Sequence, residues 1–252
     1  MRRSNAKLKK LTVLIPCHNE ATGIGNVIDK LPRDKLEHNR MTLEVIVIDN
    51  NSTDDTTAVA VAHGARVIHE KRKGKGNAMR AGFKAVSKDT DYVVMLDGDD
   101  TYDAGEIIRM IEPLENRFCN VVIGSRLGGK MQLGSMRTLN RGGNWFFTHI
   151  VRLYYRVNVT DVLTGYFAWK KEAIDELLPH LVSEGFAIEM EMITKMAKLK
   201  HEIYSVPISY TPRSGETNLR PVYDGRRILK MFFDNMRWQP GVGAISRVEG
   251  DA

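Results

Sequence analysis

Tyr92-Val93-Val94-Met95-Leu96-Asp97-Gly98-Asp99 is an apolar run that stops on two carboxylates. A short run of this kind, closed by glycine and acids, reads as a buried strand. Period-two alternation puts Asp97 and Asp99 on the same side, and Gly98 between them would let a ligand approach. Two hard carboxylates at one strand end suit Mn²⁺ or Mg²⁺, which keep waters and take phosphate oxygens as further ligands. The same letters also fit an acidic turn that caps a helix with Asp100 and Asp103. The flanking sequence decides between the two.

Outward from this run, strand and helix patterns alternate. Leu11 to Ile15, Leu43 to Ile48, Ala65 to His69 and Asn120 to Ile123 read as further strands. Helical spacing covers Thr22 to Leu31, a segment capped by Thr53 or Asp54 and running to His63, Asn77 to Val86, and Ala104 to Leu114. Short connections between alternating elements predict a mainly parallel sheet flanked by helices, an α/β domain. His18-Asn19-Glu20, Asp49-Asn50-Asn51 and Asp97-Gly98-Asp99 then fall at the carboxyl ends of strands, where open α/β sheets bind ligands. The second half is less regular. Gly124 to Gly134 reads as a loop, Leu139 to Val157 as a helix, Gly165 to Trp169 as a strand and Ala187 to Leu199 as a helix. Ile203 to Tyr210 reads as a strand, Thr211 to Val222 as a polar loop and Gly225 to Trp238 as a last helix. No linker divides the halves, so one domain is expected over 11–238, between a basic tail (1–10) and a C-terminal tail (239–252).

The chain has 252 residues, 42% hydrophobic and 27% charged, which excludes disorder and collagen-like structure. Its net charge of +6 calls for an anionic partner. Cys17 and Cys119 are too few for a disulfide framework, so a reducing cytoplasm is the default. No stretch approaches the roughly 20 apolar residues of a membrane span, and the basic N-terminus lacks a signal-peptide core.

Eight segments then occur in a fixed order. They are Leu14-Ile-Pro-Cys-His-Asn-Glu20, Val45-Ile-Val-Ile-Asp-Asn-Asn-Ser-Thr-Asp-Asp-Thr56, Gly74-Lys-Gly-Asn-Ala-Met-Arg-Ala-Gly82 and Val94-Met-Leu-Asp-Gly-Asp99. Val122-Ile-Gly-Ser-Arg126, Asp161-Val-Leu-Thr-Gly-Tyr166, Gly185-Phe-Ala-Ile-Glu-Met-Glu-Met192 and Val206-Pro-Ile-Ser-Tyr-Thr-Pro-Arg213 follow. This series resembles the family-two glycosyltransferases of the GT-A fold, and within them the dolichol-phosphate mannose and glucose synthases. The resemblance implies an inverting, metal-dependent transfer of a hexose from a nucleotide-sugar to a polyprenyl or dolichyl phosphate. GDP-mannose is the favoured donor, with UDP-glucose or UDP-GlcNAc as alternatives. It implies that Pro16, His18, Asn19 and Glu20 line the nucleotide pocket with Asp49 on the base. Asp97 would face ribose or metal, and Asp99 would bind the metal, with Thr101 or Asp100 standing where the family's glutamine assists. Arg126 and Arg141 resemble the arginines near the diphosphate and acceptor phosphate. Arg213 and Ser214 would lie over the diphosphate. The family's lysine after that arginine is replaced by Asn218, and Arg220 could supply the charge. The transmembrane helices that many relatives carry after this domain are not expected here.

Simple chemistry agrees with that reading. Both reactants are phosphates, and Arg126, Lys130, Arg137, Arg141, Arg152 and Arg156 occur within a segment that holds no acid. Arginine clamps phosphate with paired hydrogen bonds. A phosphate monoester is already an anion at neutral pH and needs no base. A hydroxyl acceptor would need one, and Glu189 and Glu191 are the candidates, with Glu189 preferred because Glu191 also reads as holding a neighbouring loop. Lys71 to Gly76 reads as a solvated turn, with Lys75 a candidate for nucleotide contact. Trp145 to Arg156 and Arg226 to Trp238 mix aromatic and basic residues. Such helices either pack an apolar stripe on the core or lie on a membrane surface. A lipid acceptor favours peripheral contact with the cytoplasmic face, with recruitment by a separate membrane subunit left open. Nucleic-acid binding would fit the charge alone, but no stacking motif or recognised module supports it.

Overall fold

The computed structural model describes residues 8–213 and 220–241. Seven strands form one sheet: β1 Lys9–Cys17, β2 Met41–Asp49, β3 Arg66–His69, β4 Tyr92–Met95, β5 Val121–Met131, β6 Phe167–Lys170 and β7 Ile203–Tyr210, in the order β3-β2-β1-β4-β6-β5-β7. β1 runs parallel to β2 and β4, β2 to β3, and β5 to β7. β6 alone is reversed, antiparallel to both β4 and β5. The expected α/β architecture with a mainly parallel sheet is therefore present.

Both faces of the sheet are buried, which is why its strands read as continuous apolar runs rather than alternating ones. Leu11, Val13, Ile15, Val45 and Val47 pack on one side. Leu14, Ile46, Ile48, Phe167 and Trp169 pack on the other. The flanking helices are α1 Ile24–Asp29, α2 Arg33–His38, α3 Thr56–Ala62, α4 Lys75–Ala85, α5 Ile107–Glu115, α6 Thr138–Tyr155, α7 Lys171–Leu177, α8 Ile188–Lys198 and α9 Pro221–Arg237. Among the described residues, no helix is long and apolar enough to cross a membrane.

Register explains where the polar residues converge. Cys17 pairs with Asp49, and Leu14 with Met95, so the loops after β1, β2 and β4 leave the sheet side by side. Because β6 is reversed, its amino end lies at that same edge. The residues before it, Asp161 to Gly165, therefore meet the carboxyl ends of its neighbours.

Three expectations need correction. Gly124 to Gly134 is not all loop, because β5 continues to Met131 with a register shift between Ser125 and Lys130. A Cβ on Gly129 would lie 2.0 Å from the Ile208 carbonyl oxygen, so the glycines that suggest a loop permit close strand contact instead. Lys71 to Gly76 is not wholly a turn, because α4 begins at Lys75. Neither Thr53 nor Asp54 occupies the cap of α3, which falls on Asp55. Asp54 still receives the Thr56 and Ala21 amides, both at 3.1 Å. The short helices α2 and α7 carry too few turns for a visible period.

The start of α4 is set by backbone contact. Gly74 has φ +126°, and a Cβ there would sit 2.2 Å from the Glu184 carbonyl oxygen. A Cβ on Gly76 would sit 2.2 Å from that of Ser183. The Asn77 amide donates to Glu184 O at 3.2 Å. Glu191 in turn holds this partner segment through the amides of Val182 and Ser183, at 2.9 and 2.7 Å, as expected of a loop-holding residue. Gly76→Ala should therefore destabilise the protein by about 1–3 kcal/mol. Gly142→Ala, in open space on α6, should be neutral or stabilising by up to about 1 kcal/mol. Urea midpoints at unchanged slope would measure both.

Candidate active site

Two cations and four carboxylates form the centre of the sheet edge. Lys75, the first residue of α4, places its ammonium 2.6 Å from Asp97 Oδ1 and 2.7 Å from Glu189 Oε1. Arg213 donates from Nη1 to Asp99 Oδ2 at 2.8 Å and from Nη2 to Glu20 Oε1. The other Asp99 oxygen accepts the Thr101 hydroxyl at 2.7 Å and the Thr101 amide at 3.2 Å. Arg213 reaches this place because the end of β7 is stitched to the Asp97–Thr101 loop. Tyr210 bridges to Tyr102, and the Thr211 amide donates to Thr101 O at 2.9 Å.

The electrostatics follow from burial and crowding. Burial raises Glu20 to about 7, with Arg213 opposing and Asp99 adding to the rise. Burial and the neighbouring Asp97 also raise Asp99. Burial alone would lower Lys75, but Asp97 and Glu189 outweigh it and hold the ammonium above its usual value. Lys75 is thus a fixed positive charge at the site, although the turn around it was expected to be solvated. Glu189 is buried at the start of α8, and burial raises its carboxyl against the pull of Lys75.

Two cavities meet here. One of about 310 Å³ is lined by Pro16, His18, Glu20 and Asn50, among others. The other, about 1020 Å³, runs between α6 and α9 and includes Arg126, Arg137, Leu139, Phe147, Arg226 and Ile228 in its lining. Lys75, Asp97, Asp99, Phe186 and Arg213 line both.

Arg126 sits in a second buried network. Its Nε and Nη2 donate to Asp161 Oδ2 and Oδ1, both at 2.8 Å, and Nη2 also donates to Leu163 O at 2.6 Å. Asn144 of α6 donates to Asp161 Oδ1 at 2.6 Å, and the Arg126 amide donates to Oδ2 at 2.9 Å. The guanidinium lies over the Tyr210 ring at 5.2 Å. Burial would lower this arginine, but Asp161 holds it well above its usual value.

The structure thus brings together Pro16, His18, Glu20, Lys75, Asp97, Gly98, Asp99, Arg126, Glu189 and Arg213. It does not bring in three others. Asn19 turns away to accept the Thr53 amide at 2.8 Å. Asp49 accepts the Ser52 amide at 3.1 Å and the His69 ring nitrogen at 3.0 Å, outside both cavity linings. Arg141 is exposed on α6 and lines neither cavity. Ser214 lies outside the described residues. Thr101 stands behind Asp99 as its hydrogen-bond donor. Gly98 lines the smaller cavity, and a Cβ there would meet Cys17 Sγ at 2.5 Å, so its missing side chain also makes room for the protein. Gly165 acts likewise, because a Cβ on it would lie 2.0 Å from Asp97 Oδ2.

Asp161, Asn144 and Asn50 are the residues the sequence reading missed. Asp161 stands in a quoted motif, but 35 residues separate it from Arg126 and no spacing rule joins them. Asn50 pins the loop before α4, donating to Glu70 O and Arg72 O at 2.9 and 2.8 Å and accepting the Gly74 amide at 2.6 Å.

The donor set suits a divalent metal of the Mn²⁺ or Mg²⁺ type. Asp97 and Asp99 offer hard oxygens that face cationic groups, as a metal would require. Among the described residues, no group of three or more His, Cys, Asp or Glu could hold a metal ion by itself. Such a cation would take its remaining ligands from diphosphate and water.

Comparison with known proteins agrees with this geometry. Residues 12–178 match the model of glycosyl transferase family 2, and the chain belongs to that family. It is 37% identical over 215 residues to glycosyltransferase AglJ of Haloferax volcanii, covering 84% of this chain and 67% of the relative. It is 31% identical to a dolichyl-phosphate hexose transferase of the same organism, covering 87% and 91%. The chain spans only 53% of a further Haloferax hexosyltransferase that it matches at 33% identity. A crystal structure of Mycobacterium tuberculosis glucosyl-3-phosphoglycerate synthase, in complex with Mn²⁺, UDP-glucose and phosphoglyceric acid, superposes with a TM-score of 0.70. That match has 22% identity and covers 90% of this chain and 80% of the other. The fold is GT-A, and the protein is a glycosyltransferase.

Two outcomes test the electrostatics. Asp161→Ala leaves a buried arginine unpaired and should cost about 3–5 kcal/mol in denaturant unfolding. Glu20, raised from 4.5 to about 7, binds its proton more tightly folded than unfolded. Its contribution is complete below pH 4.5 and is lost as pH rises through about 7. The metal-free wild type should therefore lose stability relative to Glu20→Gln between roughly pH 5 and 8. Thermal melts across that range would show the difference, and parallel curves would contradict it.

Proposed function

We propose that a single catalytic domain, residues 11–238, transfers a hexose with inversion from a nucleotide-sugar to a polyprenyl phosphate. GDP-mannose is the favoured donor and UDP-hexoses are the alternatives. The observation that carries this reading is the larger cavity, whose wall combines Arg126, Arg137 and Arg226 with Leu139, Phe147 and Ile228 and opens directly onto Asp97 and Asp99. A phosphate on an apolar chain matches those two kinds of surface. The name of the dolichyl-phosphate hexose transferase relative supports the same acceptor class.

In this reading the smaller cavity holds the nucleotide beside Pro16, His18 and Glu20. Asp97 and Asp99 hold a divalent cation, Mn²⁺ or Mg²⁺. When bound, it supplies charge neutralisation for the leaving diphosphate. Arg213 and Arg220, which line that cavity, add positive charge at the diphosphate. Arg126, fixed by Asp161 and Asn144, orients the acceptor phosphate, which attacks the anomeric carbon as an anion and needs no proton removed. Lys75 keeps Glu189 in an ion pair, which suits a positioning role. The second reading, a hydroxyl acceptor with Glu189 as base, draws on the burial of that carboxyl in the larger cavity.

Membrane contact accompanies a lipid acceptor. Helix α6 exposes Leu139, Trp145, Phe146 and Leu153, and carries Arg141 and Arg152 with no acid, followed by Arg156. Exposed aromatics ringed by arginine fit an interfacial helix on an anionic leaflet. We propose that the protein lies on the cytoplasmic face by this peripheral contact and takes no nucleic acid as a partner.

A donor panel tests the proposal. Incubated with Mn²⁺, labelled GDP-mannose, UDP-glucose or UDP-GlcNAc, and polyprenyl phosphate in anionic vesicles, the protein should form one lipid-linked sugar. Asp99→Asn should abolish transfer, Glu189→Gln should retain part of it, and Trp145→Ser should lower it in vesicles more than in detergent. Transfer to no lipid phosphate, with a hydroxyl acceptor used and Glu189→Gln inactive, would establish the second reading instead.

A further inference from the structure

Each carboxylate proposed for the metal already has a protein cation on it. Lys75 is bonded to Asp97 and is buried, also paired with Glu189, and anchored by the backbone contacts of Gly74 and Gly76. Arg213 differs. It bridges Asp99 and Glu20 from a segment beyond β7. Among the described residues, its buried Nε has no hydrogen-bond partner. It also lines both cavities, within the space available to a diphosphate.

We infer that Arg213 is a stand-in cation. It neutralises Asp99 and Glu20 when the site holds no ligand, and it must leave Asp99 for a divalent metal to bind there. This rests on the reading of Asp97 and Asp99 as the metal's ligands and adds a rule for how they are filled. A guanidinium and a divalent metal at Asp99 Oδ2 would repel each other and crowd one oxygen, so the metal alone competes with Arg213. A nucleoside diphosphate offers that arginine planar phosphate oxygens, which it binds bidentately. The diphosphate therefore removes the competitor while also supplying oxygens to the metal. Metal and nucleotide then bind with positive coupling. By linkage each strengthens the other by the same factor, and part of that factor passes through Arg213. Lys75, held from both sides, stays in place and limits Asp97 to its remaining oxygen.

The test measures binding, not turnover. Mn²⁺ alone is titrated into the full-length protein and followed by loss of the free-ion electron paramagnetic resonance signal. Labelled GDP and UDP binding is measured by equilibrium dialysis with and without Mn²⁺. Arg213→Met should bind Mn²⁺ alone at least about tenfold more tightly than wild type, and Mn²⁺ should improve its nucleotide binding by a smaller factor. Arg220→Met removes an equal charge from the same cavity without freeing Asp99, and should shift Mn²⁺ binding by less than about threefold. Should Arg213→Met fail to fold, Arg213→Lys serves, because lysine lacks the forked nitrogens with which the guanidinium reaches Asp99 and Glu20 separately, and an intermediate gain is expected. If Arg213 variants bind Mn²⁺ no better than wild type while wild type still binds nucleotide with Mn²⁺, the stand-in role is overturned and the donor site survives. If wild type binds neither nucleotide with Mn²⁺, the donor-site reading fails and this inference falls with it.

Discussion

Negative charge gathered at one sheet edge is the constraint on which the rest of this structure depends. Glu20, Asp97, Asp99 and Glu189 come from three separate segments, and among the described residues Lys75 and Arg213 bridge them. Carboxylates this close and this buried would not stay ionised in one fold without compensation. The structure answers with backbone geometry. Gly74 and Gly76 let α4 press against residues 183–185 so that its first side chain is Lys75. The bridge between Tyr102 and Tyr210 brings the chain after β7 close enough for Arg213 to act. Features far apart in sequence are thus solutions to one electrostatic problem.

A second buried pair, Arg126 with Asp161, solves a different problem. An arginine meant to face a cavity must keep its side chain still, and water alone would not hold it. Asp161, fully buried, takes two of its donors in parallel, and Asn144 fixes Asp161 from α6. The helix that lines the acceptor side is thereby tied to the strand that carries the arginine. Replacement of either partner would change the shape of the cavity as well as its charge.

The first half of the fold was legible because β1, β2 and β4 are buried on both faces and announce themselves as β-branched runs ending in polar residues. Asp97 and Asp99 were legible for the same reason, as the end of such a run. The burial of Lys75 was not legible because flanking glycines and lysines look solvated, and what covers it is a segment more than 100 residues later. A second constraint on Gly98 was not legible, because the atom its missing side chain avoids is the sulfur of Cys17. Asp161 was invisible because its partner lies across the reversed strand β6. Ion-pair partners and glycine neighbours are properties of the sheet order, which local periodicity does not encode.

That reversed strand also bears on how the chain can be divided. The family match ends at residue 178, before β7. A fragment cut there would keep β1 to β6 and both acidic side chains of the Asp97-Gly98-Asp99 run. It would lose Lys75's partner Glu189, the whole of Arg213's segment and the strand that covers β5. An eleven-residue strand would become a bare edge, the kind of surface on which chains pair with one another. The smallest piece of this protein that keeps its own solubility therefore extends beyond the region by which its kinship is recognised.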